Sequence, residues 1–184
     1  MAWGETDSSS QSTQMGVPDA VAGGASLFSR EYAVDKWKIK VVDDGPTCKL
    51  DYGTDTGERR SLALDLTPPC YLLLWQSSVT RKANADRAPV GGDGDPMAWR
   101  YKDGSGGTLA VAVIGDPISE MLRSGVHFQR AEREGYHCAG SAQGVLFRKD
   151  GIKTVTKRHQ VGVFCVEVPI DEASFWLTAH EPRK

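Results

Sequence analysis

Four cysteines at Cys48, Cys70, Cys138 and Cys165 limit what this 184-residue chain can fold into more than any other feature. Their number is even and no Cys-x-x-Cys spacing occurs, which argues against both a zinc ribbon and a thioredoxin-like redox motif. They fall in two well-separated pairs, each in a segment that reads as a β-strand or its end. Four buried free thiols are the alternative, since unpaired cysteine is common in protein cores. Two disulfides are the preferred reading. Of the three pairings available, Cys48–Cys70 with Cys138–Cys165 is favoured, because each bridge closes a loop of about 20–30 residues around a hairpin. Each would contribute roughly 3 kcal/mol by restricting the unfolded chain.

Disulfides belong to oxidising compartments, so a periplasmic or secreted protein is expected. Met1–Ser10 has neither the basic nor the apolar stretch of a secretory leader. The expectation of export therefore includes a leader already removed from the sequence. The rival is a cytosolic protein with reduced thiols, and a thiol count under denaturing conditions separates the two.

Residues 1–30 are rich in Ser, Gly, Gln and Ala without a sustained apolar period. Such a segment buries too little to offset its ordering entropy and reads as a flexible arm. Residues 31–184 read as one β-rich domain. Trp37, Ile39 and Val41 alternate with lysines, and Cys48, Leu50 and Tyr52 alternate again after Asp43-Asp44-Gly45-Pro46, a hairpin pattern. Leu62, Leu64 and Leu66 form a third alternating run, and Cys70–Trp75 reads as a strand buried on both faces. Residues 77–96 are expected to form a long loop. Further hairpins are expected from Met97–Tyr101 with Thr108–Ile114, and from Val145–Phe147 with Ile152–Thr156 across Lys149-Asp150-Gly151. A valine-rich strand over Gln160–Val168 follows.

Asp116 as a cap, Pro117 at the first position and Gly125 as a stop predict a two-turn helix. Asp171 begins either a second short helix or a last strand. Many short strands with regularly spaced turns indicate a mainly β fold, an antiparallel sandwich or barrel with one or two short helices.

The formal charge of −2 excludes a strongly basic nucleic-acid binder, and no apolar run approaches the roughly 18–20 residues of a membrane-spanning helix. Several fragments imitate catalytic motifs without meeting their requirements. Asp103-Gly104-Ser105-Gly106-Gly107 transposes the Asp and Gly that precede the nucleophile of chymotrypsin-like proteases. Gly140-Ser141-Ala142-Gln143-Gly144 lacks the Gly-x-Ser-x-Gly order of a nucleophile elbow. His127, His137, His159 and His180 are not spaced as a local metal clip. Asp93-Gly94-Asp95 begins like a calcium loop, but Pro96, Met97 and Trp99 break the ligand series. No catalytic constellation, cofactor or metal is expected.

Two features suggest binding. Arg148, Lys149, Lys153, Lys157 and Arg158 make a basic hairpin, read either as a solvated edge or as a docking surface for an acidic protein face or anionic glycan. Trp99 and Tyr101 are candidate anchors, since interface hot spots favour aromatic residues and arginine. The expected function is stoichiometric recognition of a protein or small-molecule ligand by an inhibitor, immunity or intrinsic-resistance protein. A homodimer through an edge strand is compatible with this. The alternatives are a glycan or peptide hydrolase using Asp93, Asp95, His127 and His137, or a surface module binding carbohydrate through Trp99 and Tyr101.

Overall fold

The computed structural model describes residues 30–102, 107–155, 162–168 and 170–180. The expected arm over residues 1–30 therefore lies outside them except for Arg30, as do the Ser105 motif, Lys157, Arg158 and the start of the expected strand at Gln160.

The described residues are mainly β, in antiparallel sheets. A first sheet has the order β1-β2-β3-β4, from Tyr32–Val34, Trp37–Val42, Lys49–Gly53 and Arg60–Ala63. The second contains β5 (Tyr71–Leu72), β6 (Arg87–Val90), β7 (Ala98–Tyr101), β8 (Thr108–Gly115), β10 (Ser141–Arg148) and β11 (Gly151–Thr154). Its order is β11-β10-β8-β7-β6, and β5 pairs with the far end of β8. A small third sheet joins β9 (Cys138–Ala139) to β12 (Phe164–Cys165).

The second sheet is covered on both sides, which explains why all eight residues of β8 are buried. Leu109, Val111 and Val113 face the first sheet, joining Ile39, Val41 and Leu50 in one core. Ala110, Ala112 and Ile114 face the other way, into a second core with Trp75, Trp99, Phe164 and helix α3 (Glu172–Ala179). Period-two alternation thus serves two cores at once. Helix α3 lies close to β10: a Cβ at Gly144 would sit 2.2 Å from the Thr178 carbonyl oxygen. Only glycine leaves room there.

Both expected disulfides are present, Cys48–Cys70 and Cys138–Cys165. The first ties the start of β3 to the start of β5, so it joins the two large sheets. The second links directly opposed residues of β9 and β12. Buried Gln143 adds a polar tie. Its Oε1 accepts from the Asp65 backbone N–H at 2.9 Å, and its Nε2 donates to the Val155 carbonyl at 3.0 Å.

The hairpins expected at β2–β3, β7–β8 and β10–β11 form. Asp171 caps α3 by accepting from the Ser174 backbone N–H, so the last segment is helical. Elsewhere the structure differs from expectation. Arg87–Val90, inside the expected loop, is a strand because it finds the open edge of β7. Cys70–Trp75 keeps only Tyr71–Leu72 as strand, with an isolated bridge from Leu74 to Pro96.

The helix expected from Asp116 starts later, as α1 (Glu120–Arg123) behind Ser119. Asp116 instead takes a positive φ of 68°, and its carboxylate accepts from the backbone N–H and hydroxyl of Thr67. Met121 is exposed and Ile118 buried. A further helix, α2 (Val126–Arg133), follows without having been anticipated.

Candidate functional site

The aromatic residues divide by depth. Trp99 is 1% exposed and packs edge-on against Trp75, with ring centroids 5.6 Å apart. Tyr101 is 8% exposed, meets the His180 ring at 4.8 Å, and has its phenol pKa raised by burial. Neither can offer a ring face to a partner. The proposed anchors are core residues, because the aromatic alternation of Met97, Trp99 and Tyr101 faces that second core.

Two partly exposed aromatic side chains, Trp37 and Tyr52, occur instead at one end of the sandwich, beside buried Phe147. Trp37 opens β2, Tyr52 lies near the end of β3, and Phe147 lies near the end of β10. Trp37 meets Phe147 across the two sheets at 5.2 Å, and Tyr52 lies edge-on to both. The strand registers show what surrounds this plug. In the first sheet Tyr52 is opposed by Arg60, and in the second Leu109 is opposed by Phe147 on one side and Arg100 on the other. Directly opposed residues point to the same face. Arg60 and Arg100 therefore occupy inward-facing rows, one in each sheet, and emerge where the sandwich opens.

A cleft lies on either side of Trp37. The larger, about 380 Å³, is lined by Trp37, Tyr52 and Ile152 with Thr54, Glu58 and Arg60. Gly53, Gly57 and Gly151 complete its wall. The smaller, about 150 Å³, is lined by Asp35, Lys36, Arg100 and Lys149 beside Trp37 and Phe147. Asp35 Oδ2 is 3.0 Å from the Arg100 guanidinium, and the Lys36 ammonium sits 5.3 Å from the centroid of the Trp37 ring. Lys36, Lys149 and Arg60 make no ion pair among the described residues. The smaller cleft thus has four cations, Arg148 included, against one carboxylate.

Of the basic hairpin, Arg148, Lys149 and Lys153 are among the described residues. Alternation places Phe147 and Ile152 on the inward face, and Arg148 and Lys153 on the opposite one. Arg148 also borders the smaller cleft, but its Nε is buried without a hydrogen-bond partner. Lys149, in the turn, also joins Lys36 and Arg100 there. Trp37 and Tyr52 were missed as site residues because their alternation with Ile39 and Leu50 marks them as core. Position along the strand, not period, exposes them.

Three of the four residues considered for hydrolysis, Asp93, Asp95 and His137, have partners outside that set. Asp93 pairs with Arg81, and Asp95 Oδ2 accepts from the Gly92 backbone N–H at 2.8 Å. His137 is held by Glu167, one oxygen meeting Nδ1 at 2.6 Å and the other accepting the His137 backbone N–H at 2.8 Å. His127 lines a separate cleft of about 370 Å³ with Arg130, Glu134, Tyr136 and Glu167. There the hydrogen bond from Tyr136 and the nearby Arg130 lower the Glu134 pKa, and the same bond raises that of Tyr136. Among the described residues no group of three His, Cys, Asp or Glu side chains is placed to hold a metal ion.

Comparison with protein families, curated proteins and solved structures finds no match for this chain.

Proposed function

We propose that this is an exported binding protein that acts by stoichiometric recognition of an anionic partner at the open end of its sandwich. The observation that carries this reading is Trp37, set between two clefts and flanked by Arg60, Lys36, Arg100 and Lys149. Aromatic and arginine side chains at the mouth of a rigid scaffold supply contact area and charge with little ordering cost. Two disulfides fit an oxidising compartment. Inhibitor, immunity and resistance proteins all share this chemistry of capture without turnover.

Titration with short anionic oligomers tests it. Saturable binding is expected, with the oligomer recovered intact after long incubation. Lys36→Ala with Lys149→Ala should weaken that binding and leave the melting temperature unchanged, because neither lysine has an ion-pair partner among the described residues. Binding that ignores this double substitution, or steady conversion of the probe, would overturn the reading.

A hydrolytic reading has one observation in its favour, the Glu167 carboxylate that orients the His137 ring as a general base requires. Ester or glycoside cleavage lost in His137→Asn would support it.

A further inference from the structure

We infer that the ligand of the larger cleft is an acidic saccharide, bound with a sugar ring on Trp37, Tyr52 and Ile152 and its carboxylate on Arg60. This deepens the recognition reading above and depends on it. The floor of the cleft is apolar and aromatic, a match for the C–H face of a pyranose ring, while Thr54, Glu58 and Arg60 supply polar groups at its edge. Ligand pockets commonly have this composition: apolar walls with a few convergent polar groups.

Each polar group has a distinct use. The Arg60 guanidinium is exposed and makes no ion pair among the described residues, so its planar fork is available to grip a carboxylate through two parallel hydrogen bonds. Glu58 favours a sugar over an acidic peptide. Its carboxylate is an acceptor, and sugar hydroxyls supply donors that the side chains of an acidic peptide do not. Gly53, Gly57 and Gly151 keep the wall free of side chains. At Gly57 a Cβ would sit 2.6 Å from the Thr54 hydroxyl oxygen, so that hydroxyl stays where it is only beside glycine.

The smaller cleft extends the site. Trp37 and its neighbour Phe147 separate the two, and beyond them lie Lys36, Arg100 and Lys149 with Asp35. A chain of uronate units running across Trp37 would place one carboxylate on Arg60 and another among these cations. Asp35 is already engaged by Arg100 and leaves the two lysines to the ligand.

The test is calorimetric titration of the oxidised full chain with a galacturonate hexasaccharide, its methyl ester and hexaglutamate. The acid saccharide should bind about tenfold more tightly than either of the others, the difference that one good charged contact makes. Arg60→Gln should reduce the preference for acid over ester, the rest being held by Lys36 and Lys149, without changing the melting temperature. Tyr52→Ala should weaken both sugars alike, and the Trp37 indole N–H resonance should shift on titration. If hexaglutamate binds as tightly as the saccharide, or Arg60→Gln changes nothing, the saccharide assignment fails while anion recognition stands. Should none of the three bind saturably, both fail.

Discussion

At the residue scale, two neighbouring positions of β10 hold the layers together by opposite means. Gln143 is a buried amide whose two ends satisfy the backbone of two other segments, at Asp65 and Val155. Gln143→Ala removes both hydrogen bonds and is expected to lower stability by about 1–3 kcal/mol, as read by urea titration. Gly144 works by absence. Gly144→Ala forces α3 away from β10 and should cost about 1–3 kcal/mol, whereas Gly45→Ala, with its nearest neighbour 3.7 Å away, should be close to neutral. In the sequence both lie in a Gly/Ser-rich stretch whose obvious meaning was a failed catalytic motif. Their roles concern residues 12 or more positions away, Thr178 among them, and no local pattern reports such a contact.

Among elements, the hairpins were legible and the helices only partly so. A hairpin is a local object: a turn sequence between two alternating runs specifies pairing and register together, as at Lys149-Asp150-Gly151. Helix α3 was signalled by its cap. Asp171 accepts from the Ser174 backbone N–H, and that bond is the first reason its carboxyl pKa is lowered. A carboxyl with a lowered folded-state pKa adds stability above its ordinary range and loses it as the pH falls through the folded value.

Asp171→Ala should therefore cost about 1 kcal/mol near neutral pH, with the gap to the parent protein closing in acid. Asp171→Asn should keep the cap and flatten that pH dependence. Thermal melts between neutral and acid pH check both. Asp116 carries the same kind of signal and does not cap, because Thr67 on another segment takes its carboxylate. Strand β6 shows the converse: weak local signals became a strand once β7 offered an unpaired edge.

For the whole molecule, the two disulfides act differently although their loops are similar, with sequence separations of 22 and 27. Chain entropy predicts about 3 kcal/mol for either. Cys48 and Cys70 are both fully buried where the large sheets meet, and Gly115 is hemmed in by the Cys70 sulfur. Replacing this pair by alanine should cost more than replacing Cys138 and Cys165, since it also opens a void between the sheets. Denaturant titration of the two double variants checks the order. The candidate site belongs to this scale too. Arg60 and Arg100 lie 40 residues apart in the chain, and only the stacking of two sheets brings them to one opening.

The sequence by itself determined the β class, the cysteine pairing, most hairpins and the cap of α3, because turn chemistry and strand alternation act over a few residues. Tertiary structure alone decided which aromatic residues are covered. Trp37 and Trp99 both sit in alternating runs with the same period. One comes at the mouth of the sandwich and the other inside the second core against Trp75, and the difference is set by what packs on top, which period cannot encode.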